Sequence, residues 1–371
     1  MSVEIDIGHR LGAFTLEARL SAPAGLTALF GPSGSGKTSL VNIVAGLLRP
    51  DRGRVVVDGE VLVDIERSIF VPAHRRRVGY VFQEGRLFPH LSVRQNLLYG
   101  RWFASGGNDR DAGHIIDLLG IGALLDRRPA ALSGGEKQRI AIGRALLAKP
   151  RIVLMDEPLA SLDEARKAEI LPYIERLRDR SRVPIVYVSH SLAEVTRLAT
   201  TLIVLADGKV AATGPTDQIM QRLDLLPPSA RAEAGSLLES RVESHDDAFA
   251  LTTLRTRAGT FRVPRVDLAI GHPVRIRVRA RDIIVATSAP QGLSAINTLR
   301  GVVTEIGVAD GPAVDIRIDC AGDILVGRLT RYSVETLGLR PGLPVYTVVK
   351  SVAFDRRSIG APMQGAFDED A

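Results

Sequence analysis

The sequence predicts an α/β domain with a helical subdomain, followed by an all-β barrel domain. Three observations predict it. Short apolar runs ending in glycine or polar residues (Leu26 to Phe30, Val78 to Phe82, Ile152 to Met155, Pro184 to Val188) alternate with stretches at helical spacing. Glu84 to about Pro150 is largely helical with loops. Beyond residue 237 the pattern changes to short alternating strands separated by turn signals. A chain of 371 residues, 45% of them apolar, can build a core for each domain.

The N-terminal stretch reads as three strands, Val3 to Ile7, Phe14 to Leu20 and Leu26 to Phe30. The third runs into Gly31-Pro32-Ser33-Gly34-Ser35-Gly36-Lys37-Thr38, and Ser39 to Leu48 continues at helical spacing. Strand, glycine loop and helix in this order turn a GxxxxGK[ST] match into a phosphate site. The glycines let the backbone curl so that successive N–H groups point inward, and the helix start adds its positive dipole end. Lys37 can then reach the β- and γ-phosphates, and the Thr38 hydroxyl can hold Mg²⁺. Phe14 either stacks on an adenine ring or faces the core as a strand residue.

Arg49-Pro50-Asp51-Arg52-Gly53 breaks the chain, and Arg54 to Val57 and Glu60 to Val63 form a hairpin signal around Asp58-Gly59. Arg75-Arg76-Arg77 is the tightest positive cluster and reads as a solvated face or a contact surface. Gln83 closes the next strand, where a glutamine beside a phosphate loop can orient water or complete a metal shell. Ser105 to Asn108 reads as a turn or flexible tip. Leu132-Ser133-Gly134-Gly135-Glu136-Lys137-Gln138-Arg139 opens an amphipathic helix, with Ser133 as N-cap and Glu136 as its capping-box partner. Capping does not explain Gly134-Gly135, but paired glycines at a helix start expose N–H groups that suit an anion.

Ile152 to Met155 ends in Asp156-Glu157-Pro158. Two adjacent carboxylates at the end of a buried strand are costly unless they serve chemistry. On a strand they point opposite ways, so Asp156 is expected to face the metal shell and Glu157 the attacking water. Ala160-Ser161-Leu162-Asp163 leads into a helix to about Arg180, and the next strand ends in Ser189-His190. His190 is either a γ-phosphate contact or a surface histidine. Leu202 to Leu205 and Lys209 to Ala212 make a closing hairpin around Asp207-Gly208. The loop-rich stretch up to residue 237 (Pro227-Pro228, Ala234-Gly235-Ser236) sets the domain boundary. The expected organisation is 1–230 for the α/β domain, with its helical subdomain at 84–150. A β linker at 238–290, the barrel at 291–356 and an unstructured tail at 357–371 follow.

Composition excludes several classes. No apolar run approaches the ~18 residues that span a bilayer. The N-terminus lacks the regions of a signal peptide, so a soluble chain docked on a membrane protein is expected. Cys320 is the one cysteine, a small filler near a strand end, which excludes an internal disulfide and a multi-cysteine metal site. The net charge of +6 arises from 48 basic against 42 acidic residues spread along the chain. Residues 238–371 carry six aromatics without obvious clustering, which argues against nucleic-acid binding by stacking.

The phosphate loop, Gln83, Leu132 to Glu136, Asp156-Glu157, Ser161-Leu162-Asp163 and His190 together resemble the ATP-binding subunit of an ABC transporter over residues 1–220. The Ser133-Gly134-Gly135 sequence discriminates this family from other P-loop ATPases. A closer resemblance is to the ATPase of molybdate importers, through Val78 to Gln83, Arg86 to His90, Leu132 to Gln138, Asp156 to Asp163 and Tyr187 to Leu192. Ser294 to Leu299 resembles the opening of the small OB-like molybdate-binding domain, and Val348-Val349-Lys350-Ser351 its closing strand. Ile296 stands where that domain commonly has arginine.

The resemblance implies a P-loop NTPase fold of ABC type with a C-terminal OB-like barrel. It implies a head-to-tail homodimer that sandwiches two ATP molecules with Mg²⁺. Each would lie on residues 31–39, Gly31 to Ser39, of one subunit, beside Phe14, facing Ser133, Gly134, Gly135, Glu136 and Asp163 of the other. It implies Glu157 as general base, His190 on the γ-phosphate, and Thr38, Gln83 and Asp156 around the metal. Ser294, Asn297, Lys350 and Ser351 become the candidate oxyanion residues for molybdate or tungstate. The implied partners are an integral-membrane permease, docked at Arg86 to His90, and indirectly a periplasmic binding protein, with the ATPase on the cytoplasmic face of the inner membrane. The competing readings are a sulfate or other importer, a soluble non-transport ABC ATPase in DNA repair or translation, and an oxyanion sensor. The first shares several of the motifs, the second usually carries coiled-coil insertions or a second cassette, and intact Lys37, Asp156, Glu157 and His190 argue against the third.

Overall fold

The computed structural model describes residues 2–102, 109–180, 183–231, 233–309, 311–351, 354 and 359–360. Its first part carries β1 (Val3–Leu11), β2 (Phe14–Ala22), β3 (Leu26–Phe30), α1 (Lys37–Ala45), β4 (Arg52–Val57), β5 (Glu60–Asp64), β6 (Ile69–Phe70) and β7 (Val78–Val81). There follow α2 (Val93–Leu98), α3 (Asp109–Leu119), α4 (Gly134–Leu147), β8 (Ile152–Asp156), α5 (Glu164–Arg180), β9 (Ile185–Val188), α6 (Leu192–Leu198), β10 (Thr201–Ala206) and β11 (Lys209–Pro215).

Burial explains how these strands are used. β2 alternates buried and exposed residues from Thr15 on, as a strand covered on one face does. Every residue of β3 and β9 is buried, and so are the first four of β8, the pattern of strands covered on both faces. The eleven strands form one sheet in the order β6-β5-β4-β1-β2-β11-β10-β3-β9-β8-β7. β10, β3, β9, β8 and β7 run parallel to one another, β6, β5, β4, β1 and β2 pair antiparallel in turn, and β11 between the two sets is antiparallel to β10 and parallel to β2. The carboxyl ends of β3, β9, β8 and β7 therefore lie along one rim, where parallel sheets place their ligands. Leu29 is level with Val188, and Val188 with Asp156. Leu40, Val41, Ile43 and Val44 of α1 join Leu29, Leu154, Val186 and Ile203 of the sheet in one core.

The chain divides into two compact units, Met1–Pro215 and Thr216–Ala371. The second carries α7 (Thr216–Met220), α8 (Pro228–Arg231), β12 (Gly235–Asp246), β13 (Leu251–Arg255), β14 (Thr260–Pro264), β15 (Pro273–Arg279) and β16 (Ile284–Ala286). It continues with β17 (Asn297–Ile306), β18 (Ala313–Cys320), β19 (Asp323–Thr330), α9 (Arg331–Thr336), β20 (Pro344–Val349) and β21 (Ile359–Gly360). Its sheets run β14-β13-β12-β15-β21 and β16-β20-β17-β18-β19.

Three sequence expectations change here. Ala234-Gly235-Ser236 is not a loop, because Gly235 and Ser236 open β12, a strand of 12 residues. Glycine is required at 235, since a Cβ there would stand 2.0 Å from the Val278 carbonyl oxygen across the pair with β15. Residues 238–290 are not a linker: Leu238, Val242, Phe261 and Ile276 share one core with Leu299, Val303, Ile316 and Val349 of the following sheet. Most of the expected tail at 357–371, and the expected tip at 105–108, lie outside the described residues. Ile359–Gly360 pairs with β15. Among the described residues, no helix is long and apolar enough to cross a membrane.

Candidate functional site

The loop from Gly31 to Gly36 leaves β3 and turns into α1. Gly34 and Gly36 have φ of 80° and 97°, the left-handed region that glycine enters without strain. A Cβ on Gly36 would stand 2.8 Å from a Leu16 methyl and 3.3 Å from the Phe14 ring, so Phe14 lies beside the loop. Pro32, Ser33 and Gly34 are exposed, while Ser35 and Lys37 are buried. Lys37 Nζ donates to the carbonyls of Gly31 at 2.9 Å and Pro32 at 2.8 Å, and lies 3.5 Å from Ser35 Oγ. Burial lowers the Lys37 ammonium, opposed by the charges of Glu157 and then Asp156.

Asp156 ends β8 directly beside this loop. The Thr38 hydroxyl donates to Asp156 Oδ1 at 3.2 Å. The Tyr80 hydroxyl lies 3.3 Å from Asp156 Oδ2 and 3.1 Å from Asn42 Oδ1. Burial raises the Asp156 carboxyl, against the bonds from Thr38 and Tyr80. The strand stops there, and Glu157 takes a left-handed φ of 47°. The alternation expected of two strand residues therefore does not apply. The two carboxylates still separate: Asp156 engages Thr38 and Tyr80, whereas Glu157 Oε2 lies 3.3 Å from His190 Nδ1. Non-glycine residues in such backbone states gather at functional sites. A hard cation needs oxygen ligands, and Thr38 Oγ1 with Asp156 supplies them, so these residues fit Mg²⁺.

Comparison with known proteins identifies the family. A family model described as ABC transporter matches residues 19–160, and one described as TOBE domain matches residues 293–354. The "Molybdenum import ATP-binding protein ModC" of Mesorhizobium japonicum is 60% identical over 97% of this chain and 98% of its own length. The protein of that name from Rhodospirillum rubrum is 47% identical over 95% and 97%. The chain belongs to the ModC family of ABC transporter ATP-binding proteins. The structure of cbiO1 from Clostridium perfringens, described as part of the ABC transporter complex cbiONQ, shares the fold. Its TM-score is 0.51 at 23% identity, over 60% of this chain and 90% of that one.

As a ModC-family member the chain is an ATP-binding, ATP-hydrolysing transporter subunit with an ABC ATPase fold and a C-terminal OB-like domain. The remaining expected residues divide by location. Gln83 follows β7, which is parallel to β8, so it sits on the same rim as Asp156. Ser133 caps α4: its Oγ accepts from the Glu136 N–H at 3.2 Å, and Glu136 Oε2 accepts from the Ser133 N–H at 2.7 Å. That backbone bond is the main reason the Glu136 carboxyl is lowered. Among the described residues, no hydrogen bond or ion pair joins Ser133 to Glu136 with the phosphate loop. Gly134 has a packing role that sequence reasoning missed, since a Cβ there would stand 3.0 Å from Leu162. Asp163 Oδ1 accepts from the Arg166 N–H at 2.9 Å at the start of α5.

In the second unit Asn297 is buried. Its Oδ1 accepts from the Arg262 N–H at 2.6 Å, and its Nδ2 donates to the Arg262 carbonyl at 3.1 Å and to Ser351 Oγ at 3.3 Å. Ser294, Ile296 and Lys350 are exposed, and Asn297 is paired with Val349 beside Lys350. Cys320 is buried, with its thiol pushed up to about 11 by burial.

Arg76 is a correction. It is 1% exposed and neither a solvated face nor a contact surface. Sequence reasoning also missed Tyr80 and Asn42 around Asp156. The only signal for them was a phenol and an amide in otherwise apolar, phosphate-loop-flanking segments.

Proposed function

We propose that this chain powers uptake of molybdate, and of tungstate, through a membrane permease, as a homodimer that binds two ATP molecules with Mg²⁺. The observation that carries the reading is the convergence of Lys37, Thr38, Asp156, Glu157 and His190 on one rim. The names of its relatives support the substrate. The nucleotide phosphates would lie on the N–H groups of the loop from Gly31 to Ser39, with Lys37 released from the Gly31 and Pro32 carbonyls to reach them. Phe14, beside Gly36, suits the base. Thr38, Asp156 and Gln83 would hold Mg²⁺, which supplies neutralisation of phosphate charge. Glu157 takes a proton from the attacking water, a contribution of about 10²–10⁴-fold in such sites. His190 then turns from Glu157 to the γ-phosphate.

Ser133, Gly134, Gly135, Glu136 and Asp163 serve the second copy's nucleotide, and among the described residues none of them has a hydrogen bond or ion pair to its own phosphate loop. Closure around ATP favours one permease state over another by differential binding, through Gln83 and the segment from Arg86 to His90. In the C-terminal unit the Asn297 amide is committed to Arg262 and Ser351 Oγ, and Ser294, Lys350 and the Ser351 hydroxyl hydrogen would face an oxyanion. A periplasmic binding protein delivers the substrate from the other side of the membrane.

The test is reconstitution with the permease in vesicles. ATP-dependent uptake of molybdate or tungstate, and not sulfate, is expected. Glu157→Gln should keep ATP binding yet nearly abolish hydrolysis and uptake. Wild-type hydrolysis by that variant refutes the base assignment, and uptake of sulfate alone refutes the substrate.

A further inference from the structure

We infer that Glu194 is a positioning residue for hydrolysis: it fixes the turn that carries His190 and ties it to α5, which begins just after Asp163. Glu194 lies in the first turn of α6 and is 5% exposed. Its Oε2 accepts from the Tyr187 hydroxyl at 2.9 Å and from the Ser189 hydroxyl at 2.8 Å. Its Oε1 lies 3.2 Å from Lys167 Nζ. One carboxylate therefore grips the end of β9, the residue before His190 and a lysine of α5.

Ser189 extends the grip. Its Oγ also accepts from the Ser191 N–H at 3.0 Å, so a single hydroxyl holds the backbone on both sides of His190. The Ser191 hydroxyl in turn accepts from the Glu194 N–H at 3.4 Å, closing a small ring of bonds. Burial first, then the Glu194 charge, raises the Tyr187 phenol well above its ordinary value, which keeps it a donor. On the other side the Lys167 N–H donates to the Asp163 carbonyl at 3.0 Å. The resulting path runs Asp163, Lys167, Glu194, Ser189, His190, Glu157.

Stability alone does not account for this arrangement. A buried ion pair is often no more stabilising than apolar side chains of similar volume. What the carboxylate supplies is a single geometry. The His190 side chain is 59% exposed, so its ring has little packing to orient it. Its ring lies 3.3 Å from Glu157 in the empty chain, and the turn that carries it sets what the ring can reach, Glu157 first and the γ-phosphate afterwards. The inference rests on the roles given to Glu157 and His190 above.

The test compares kcat and KM for Mg-ATP, with thermal melts, in the full chain. The variants are Ser189→Ala, Tyr187→Phe, Glu194→Ala and Glu194→Gln, with His190→Ala as reference. Ser189→Ala and Glu194→Ala should lower kcat about tenfold or more while KM stays within about twofold, the signature of lost positioning. Glu194→Gln keeps an acceptor for both hydroxyls and should recover most of kcat. If Glu194→Ala does not fold, Ser189→Ala and Tyr187→Phe carry the test with smaller cavities. Wild-type kcat in Ser189→Ala and in the Glu194 variants overturns the inference. So does a kcat loss matched by an equal rise in KM and a fallen melting temperature. Wild-type hydrolysis in His190→Ala instead overturns the reading beneath it. Loss in His190→Ala with none in the others overturns only the role of Glu194.

Discussion

Asp156 carries a cost that pH can expose. Burial raises its carboxyl above the ordinary 3.8, so the folded chain holds that proton more tightly than the unfolded chain does. Its contribution to stability is therefore favourable below the unfolded value and is lost as pH rises through the raised folded value. At neutral pH the ionised carboxylate is a burden on the empty protein. Asp156→Asn removes the charge and leaves the Thr38 and Tyr80 hydroxyls with partners, because Tyr80 can donate to Asn42 Oδ1 instead. The nucleotide-free variant should melt higher than wild type at about pH 7, and the gap should close toward about pH 4. A lower melting temperature at neutral pH would contradict this, whereas loss of Mg-dependent hydrolysis is expected in either case. Lys37, Asp156 and Glu157 could be singled out in the sequence as candidates because a phosphate loop fixes both residue type and spacing, whereas His190 gained its role only from the family resemblance. The backbone of Glu157 was not legible, since nothing in Asp156-Glu157-Pro158 says that the strand stops one residue early.

Among the elements, α1 is the one the site depends on, because the loop from Gly31 to Gly36 runs into its N-terminal end, which carries Lys37 and Thr38. Its other end is held by Arg76. The guanidinium donates through Nη1 to the carbonyls of Ile43 at 2.7 Å and Val44 at 2.9 Å, and through Nε to Val71 at 2.6 Å. It lies 4.8 Å from the centre of the Phe70 ring. Burial pulls Arg76 down to about 10, which leaves it charged at neutral pH. Gly46, at φ 80°, makes room: a Cβ there would stand 2.5 Å from the Arg76 Nε. Arg76→Ala strips partners from buried carbonyls and should cost about 2–4 kcal/mol in denaturant unfolding. Arg76→Lys should recover little, because an ammonium lacks the fork that meets three carbonyls at once. A cost below about 0.5 kcal/mol, the usual range for exposed sites, would mean that the arginine is not a helix cap. The buried strands, the helices after the phosphate loop, Leu132 and Asp163, and the two hairpins in residues 1–215 were readable from periodicity and turn residues, whereas β6 and α6 were not read. Arg76 was not, because a triple-arginine run looks solvated until the fold brings helix carbonyls to the middle residue. β12 was obscured by Ala234-Gly235-Ser236, where the glycine serves close strand approach rather than a turn.

At the scale of the whole molecule, the division of roles between Lys37 and Ser133 becomes a statement about assembly. In one chain the Ser133 hydroxyl and Glu136 satisfy each other at the start of α4. A capping hydroxyl that accepts can still donate its hydrogen, so Ser133 has a bond to offer an anion from outside. If that anion is the phosphate bound by the other copy, every site needs Lys37 from one chain and Ser133 from its partner. A two-fold dimer then holds two such composite sites. Lys37→Ala and Ser133→Ala should each be nearly inactive alone, for different reasons: the first cannot bind the phosphates and the second cannot complete the site. Mixed in equal amounts with free exchange, half of the dimers are hybrids. Each hybrid has one doubly defective site and one intact site, so up to about a quarter of wild-type sites return. Recovered hydrolysis on mixing, absent from either variant at the same total concentration, is the expected result. If the two sites must fire together, hydrolysis stays low, but the hybrids still occlude one ATP per dimer in a nucleotide-retention assay. No recovery and no occlusion would place Ser133 and Lys37 in the same chain's chemistry, and the head-to-tail sandwich would fall with it.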